Sequence, residues 1–273
     1  MTMLSDAKAV RAWARQTGIE NVVVISPHLD DAVFSIAGFI SAVRNRTEVI
    51  TLFTEGQPNH SSDWTRMTGF SDSEAEHAAR RQEDALAMSR LKCRSQHLGL
   101  REGEAIESVT PRVAETIERI RQAGLAHTLV LLPAGAGGPP PRSWLRRLAF
   151  RIMRRPIGTM PHGEHLSTRN LFWQALAGTE ARIGFYAELP YAWSQRDLHL
   201  QHNLRLTLGC ETELVALRPD VEEKRQLAEL YRSQVVPVLG RRLAYRRRVL
   251  ARNECIFVAK ASPENSLIRP QQP

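Results

Sequence analysis

Cysteine is scarce in this chain of 273 residues: Cys93, Cys210 and Cys255 are the full set of three, with no Cys-x-x-Cys pair. An odd count at such spacings supports neither a disulfide framework nor a cysteine-held zinc, and it fits a reducing compartment, so a cytoplasmic protein is expected. Long apolar runs are missing too. No stretch approaches the roughly 18 consecutive apolar residues of a membrane-spanning helix, and the N-terminal segment lacks the apolar centre of a signal peptide. Acidic residues are outnumbered, 29 Asp plus Glu against 37 Lys plus Arg, which leaves a net charge of +8. Aromatic residues make up 6% of the chain. Tyr245 and Trp144 are thin aromatic support among the basic runs, so no nucleic-acid partner is expected.

What is present suffices for one α/β core: 42% of the residues are hydrophobic and 24% charged, and residues 1–273 need no second domain. Strand and helix patterns alternate, the mark of a mostly parallel sheet covered on both faces. The expected fold is α/β, a single three-layer α/β/α domain with a Rossmann-like sheet. A first helix has Ser5 as its expected cap, Val10 and Trp13 on one face and Gly18 as its stop. Strands are expected over 22–25, 49–53, 128–132 and 255–258. Helical spacing runs through Ala32, Ile36, Phe39, Ile40 and Val43, and again from Pro111 through Val113, Ile117 and Ile120 to Gly124. Asp220 and Glu223 resemble a capping box ahead of a helix over 224–231. Residues 54–73, rich in Gly, Pro, Asn, Ser and Asp, read as one long loop, and loops of that length in compact domains are usually functional. No internal repeat is visible, and a flexible tail is expected from about residue 261.

Two clusters carry the chemistry. His28, Leu29, Asp30 and Asp31 directly follow the run Val22, Val23, Val24, Ile25, so a strand end delivers one imidazole and two carboxylates. Open α/β sheets bind ligands in the crevice outside the carboxyl ends of their strands, and two adjacent like charges call for a cation between them. The second cluster, Pro161, His162, Gly163, Glu164 and His165, adds two imidazoles and a carboxylate. Each cluster alone has an ordinary structural explanation. Asp30 and Asp31 could complement a helix N-terminus, and His162 and His165 could cap the next helix. Both together, each at a strand-to-helix junction, favour a metal. A catalytic zinc typically takes three N or O ligands from the protein and keeps one position open for water. His28, one Asp and His165 meet that count.

These residues carry a resemblance. Residues 26–35 (SPHLDDAVFS) and the later HGEH resemble the two signature motifs of the PIG-L, or LmbE-like, family of zinc-dependent N-acetylglucosaminyl deacetylases. Arg80, Arg81, Gln82, Glu83 and Asp84 resemble the family's Arg-rich helix start, ahead of His97, Leu98, Gly99 and Leu100. Tyr186, Ala187, Glu188, Leu189, Pro190 and Tyr191 are similar to its YEDLPY segment. Lys224 and then Tyr231, Arg232, Ser233 and Gln234 resemble its Lys-containing helix ending in SQ. The signals occur in the family's order over 22–234.

The resemblance implies zinc, one ion per chain with Fe2+ as an alternative occupant in the cell, bound by His28, Asp31 and His165. It implies Asp30 as general base and His162 as the acid or oxyanion partner. Zinc lowers the pKa of bound water from 15.7 to about 7 and polarises a carbonyl oxygen. Glu164 stands where the family usually has Asp; an acid there can orient His162 or His165. Ala32 replaces the commoner Glu, which removes a charge without removing a ligand. Arg80, Arg81, Glu188 and Tyr191 are candidate substrate contacts. The implied reaction is removal of an N-acetyl, or other N-acyl, group from a small-molecule or lipid-linked amino sugar containing GlcNAc, expected to be anionic.

Two basic segments remain. Residues 139–161 look like an insertion, because family members usually connect Gly135, Ala136, Gly137 and Gly138 directly to the histidine motif. Within it Trp144, Leu145, Leu148, Ile152 and Met153 alternate with Arg142, Arg146, Arg147, Arg151, Arg154 and Arg155 at helical spacing. That is a lid, or a surface for peripheral membrane contact through 144–155, or a solvated helix packed by its apolar face. Arg241, Arg242, Arg246, Arg247, Arg248 and Arg252 form the second run. The rival readings are a basic nucleic-acid- or membrane-binding module without catalysis, and a metal-dependent hydrolase of another ester or amide. Phosphoesterases often use two metals about 3.5–4 Å apart, more than these two clusters can hold.

Overall fold

The structure is a computed structural model that describes residues 1–103, 111–122, 124–137 and 162–260. The expected insertion at 139–161, including 144–155, and the expected tail from 261 lie outside the described residues. Within them the chain forms eight strands and ten α-helices.

The β-branched run of β2 (Asn21–Ser26) is buried between β3 (Thr47–Glu55) and β5 (Thr128–Pro133), both parallel to it, with Ile25 opposite Ile50 and Val24 opposite Leu131. Strand β4 (Arg94–Arg101) extends the sheet beyond β3, and β6 (Arg182–Tyr186) extends it beyond β5, again in parallel. Next comes β8 (Glu254–Ala259), antiparallel to both β6 and β7 (Thr212–Leu217). The three-residue β1 (Thr2–Leu4) closes the edge alongside β7. The sheet order is β1-β7-β8-β6-β5-β2-β3-β4, mostly parallel, as the alternating pattern implied.

From β2 the chain moves outward to β3 and β4, then returns to the opposite flank of β2 as β5 and continues to β6. Right-handed crossovers therefore place α2 (Asp31–Val43) and α4 (Ser73–Leu91) on one face, and α5 (Pro111–Gln122) and α6 (Gly163–Leu176) on the other. Helix α2 touches α4, and α5 touches α6. The strand order reverses between β2 and β5, so their carboxyl ends open a crevice at the topological switch point. Both chemical clusters follow these two strands.

Helix α2 is interrupted at Ile36, whose φ of −135° and ψ of 30° are not helical. The break frees backbone groups in the core, and a buried ion pair takes them up. Glu254 accepts from the amides of Gly38 (3.0 Å) and Phe39 (2.8 Å), while Lys224 Nζ donates to the Ser35 carbonyl at 3.0 Å and lies 2.9 Å from Glu254. A Cβ at position 38 would come within 3.2 Å of the Glu254 carboxylate, which explains the glycine there.

Several local expectations are corrected. Asp6, not Ser5, caps α1 (Ala7–Gln16), accepting from the Ala9 amide at 2.9 Å. The 54–73 segment is not one loop. It holds the six-residue α3 (Asp63–Thr68), capped by Ser62 and ended by Gly69 at φ 89°, and such a helix is too short for periodicity to reveal. At the capping-box position, Asp220 accepts from the amides of Glu222 and Glu223, but Glu223 turns away to the Ser41 hydroxyl at 3.0 Å. The helix that follows stops at Ala228 and gives way to a second one. The remaining helices are α7 (Asp197–Leu208), α8 (Val221–Ala228), α9 (Arg232–Leu239) and α10 (Leu243–Leu250).

Candidate functional site

The turn after β2 is rigid. Ser26 Oγ donates to the His28 carbonyl at 2.7 Å, and the Phe53 amide donates to the Pro27 carbonyl at 2.9 Å. Asp31 opens α2, and its Oδ2 accepts from the His28 amide at 2.9 Å. Asp30 and His162 stand at the N-cap positions of α2 and α6, yet neither side chain makes a capping hydrogen bond. Neither side chain is therefore used up in a capping hydrogen bond.

Three atoms meet in the crevice. His28 Nδ1, Asp31 Oδ2 and His165 Nε2 form a triangle with sides of 3.1, 3.1 and 3.2 Å. A tetrahedral zinc with ligands at about 2.0–2.1 Å spaces its donors by about 3.3 Å, so these residues fit such an ion. His162 stands at the rim, and His28, His162 and His165 each offer a donor atom within 4.8 Å of the others. All three residues of the triangle are buried, whereas His162 is exposed.

A ring of carboxylates holds the imidazoles. Glu188 is fully buried; its two oxygens accept from the amides of Gly135 (2.7 Å) and Ala136 (3.1 Å), and His165 Nδ1 lies 3.3 Å from one of them. Glu164 pairs with His28 Nε2 at 2.8 Å and also accepts from the Gly103 amide at 2.7 Å. Carboxylates in such positions fix the tautomer and ring orientation of metal-binding histidines. Glu164 was expected to orient His162 or His165. The longer Glu side chain reaches His28 instead, with His162 Nδ1 at 3.6 Å.

The titratable groups divide by environment. Burial alone would lower His28 and His165, but hydrogen bonds to Asp31 and Glu164 hold His28 well above its usual range, and Asp31 and Glu188 raise His165 to about 9. Burial opposes the charge of Asp31, and His165 and His28 override it, keeping the carboxyl well below the usual range. Asp30 is different: burial outweighs the pull of Arg80, and with repulsion from Asp31 its carboxyl rises to about 6. His162, at the rim and only partly desolvated, is lowered by that partial desolvation and by the neighbouring His28 and His165.

The structure distributes the four candidate substrate contacts unevenly. Arg80 is buried against Asp30, with Nη2 to Oδ1 at 3.5 Å, and its Nη1 lies 3.0 Å from Glu102 and 3.8 Å from Glu76. It faces the site but is committed to carboxylates. Arg81 turns away to the Thr54 carbonyl (2.7 Å) and Glu55 (2.9 Å). Glu188 braces His165, as described. Tyr191 stays at the site, its ring 5.1 Å from that of His165 and 6.2 Å from that of His162. Sequence reasoning missed Glu102. Its carboxylate bridges Arg80 and His77 Nε2 (3.3 Å), is 41% exposed, and is held below the usual range by His77, His28 and Arg80 against the effect of burial. Its position directly after β4, at the same sheet edge as Asp30, was the available signal.

Fold and site together define an α/β protein in which His28, Asp31 and His165 converge at the switch point of its sheet. The family model described as "PIG-L: GlcNAc-PI de-N-acetylase" matches residues 23–176, and the chain belongs to that family. Among solved structures, a triple mutant of the deacetylase Orf2 of teicoplanin biosynthesis is similar at 22% identity and a TM-score of 0.65, covering 89% of this chain and 99% of that one. The A40926 pseudoaglycone deacetylase Dbv21 is 23% identical with a TM-score of 0.62, covering 88% and 97%. The zinc-inhibited form of teicoplanin deacetylase Orf2 is 22% identical with a TM-score of 0.59, covering 89% and 99%. No curated protein matches the sequence. Among the described residues no helix is long and apolar enough to cross a membrane.

Proposed function

We propose that the protein is a metal-dependent amidohydrolase that removes an N-acetyl, or other N-acyl, group from an amino sugar. His28, Asp31 and His165 would hold one zinc ion, or Fe2+ in its place. The observation that carries this reading is the triangle of buried donor atoms with sides of 3.1–3.2 Å, each imidazole backed by its own carboxylate. Membership of a family described by GlcNAc-PI de-N-acetylation supports the amino-sugar substrate. The similar folds of the teicoplanin and A40926 deacetylases support the reaction class.

Zinc bound there would supply a Lewis acid for the amide carbonyl and water activated at neutral pH. The remaining steps belong to side chains. Asp30 Oδ1 faces Arg80, so Oδ2 is the atom left to take a proton from the attacking water. A carboxyl raised to about 6 is ionised at pH 7 and can also give that proton back. His162 turns Nδ1 toward Glu164, which leaves Nε2 for the substrate. A proton on Nε2 would let His162 donate to the oxyanion and then protonate the leaving nitrogen. Glu102, whose carboxylate is 41% exposed, and Tyr191, whose ring packs beside His165, would meet the sugar.

The test is mass-spectrometric detection of acetyl loss from free, nucleotide-linked, inositol-linked and lipid-linked GlcNAc and from an N-acylglucosaminyl glycopeptide. Zinc is added at one equivalent, because a deacetylase of this fold is known in a zinc-inhibited form. Turnover of one member fixes the substrate class. Retention of every acyl group by fully zinc-loaded protein contradicts the proposal.

A further inference from the structure

The last arginine of the C-terminal basic run is tied to backbone carbonyls. Arg241 and Arg242 are exposed, Arg247 reaches Glu222 at the surface, and Arg248 lies over the Trp193 ring. Arg252 turns inward. Its Nη1 donates to the carbonyls of Ala192, Trp193 (3.3 Å) and Gln195 (2.9 Å), and its Nη2 pairs with Asp197 at the start of α7. One guanidinium thus satisfies the carbonyls at the end of the 3-10 turn Tyr191–Ser194 and ties that turn to the next helix.

That turn forms one wall of the site. It begins with Tyr191, whose ring packs on His165 and His162, and Ala192 N donates to the Glu188 carbonyl at 2.7 Å. Gln195 Oε1 accepts from the Gly137 amide at 2.9 Å, which fastens the turn to the loop after β5. Arg252 lies two residues before β8, where the Cys255 carbonyl accepts from the Ala187 amide at 2.9 Å. We infer that Arg252 is a positioning residue: it fixes the 191–197 segment so that Tyr191 presents its ring beside the site histidines. The planar fork matters, since it serves several carbonyls and a carboxylate at once, which a single ammonium cannot do with the same geometry.

The kinetic arm of the test rests on the amidohydrolase reading, and a second arm does not. With an N-acetylglucosamine substrate, Arg252→Gln raises KM about tenfold with a smaller change in kcat, as expected when a wall of the site loosens. Arg252→Lys recovers part of the loss, and Arg241→Gln, which removes the same charge from an exposed position, behaves as wild type. In a Tyr191→Ala background the Arg252→Gln change costs no more than about twofold, because both act through one side chain. Independently of turnover, hydrogen exchange in Arg252→Gln speeds up over 191–197 while metal content stays at one per chain. Additive losses in the double variant, or exchange over 191–197 equal to wild type, would overturn the inference. If no substrate is turned over, the exchange result alone decides.

Discussion

Glu188 spends two carboxylate oxygens on three donors, the amides of Gly135 and Ala136 and the Nδ1 of His165. Glu188→Gln puts an NH2 group where one oxygen stood, so at least one donor loses its acceptor in a fully buried place. Outer carboxylates of this kind are worth about 10–100-fold in metal affinity. Competition with a chromophoric chelator is expected to show zinc held that much more weakly in Glu188→Gln. Unchanged affinity would mean that His165 is oriented by something else. His28, Asp30, Asp31, His162 and His165 were legible in the sequence because each cluster directly follows an apolar strand-like run or precedes a helix. The partners were not. Nothing in the local sequence indicates that Glu164 reaches His28 or that Arg80 meets Asp30, because those pairings depend on the lateral order of strands and on side-chain length.

Among elements, α2 carries the unusual feature, a break inside a helix lying under the site. The Lys224–Glu254 pair stitches it, and through the Ser35 hydroxyl, which accepts from the Leu189 amide at 3.1 Å, the break abuts the segment that bears Glu188. Lys224→Met leaves Glu254 charged and buried without its cation, a change that costs about 3–5 kcal/mol. Urea unfolding is expected to show a loss of that size, and a smaller combined loss than the sum of the single variants when Glu254→Gln is added. Additive losses would show that the two residues act separately. Strands β2, β3, β5 and β8 were legible from their apolar runs, to within a residue or two. β1 and α3 were not, since three and six residues give too little pattern. The antiparallel placement of β8 between β6 and β7 follows from register between distant strands, not from local composition.

At the scale of the whole molecule, the site joins two halves of the sheet: His28 and Asp31 follow the central strand, while His165 follows β5 after the chain has crossed back over the sheet. An ion held between these segments binds only the folded chain and stabilises it by mass action, about 2.7 kcal/mol at a free concentration one hundred times Kd. Thermal unfolding of metal-stripped protein is expected to shift upward on adding zinc, and the shift to vanish in His28→Ala. A shift that survives in His28→Ala would place the stabilising metal elsewhere. The excess of 37 basic over 29 acidic residues adds a long-range effect. For a phosphate-linked substrate kcat/KM falls as salt rises, and for free GlcNAc it does not, because screening removes only the charge-dependent part of the encounter. Equal salt dependence for the two would argue against electrostatic steering.

The most direct test sets metal and turnover side by side in wild type and Asp30→Asn, each stripped, reloaded with one equivalent of zinc, and assayed for acetate release and bound metal. In the proposed mechanism Asp30 is the proton acceptor and not a ligand, so the variant is expected to keep one zinc per chain and to lose about 10²–10⁴-fold in rate. An Asp30→Asn protein that works as fast as wild type, or a metal-free wild type with full activity, would contradict the account.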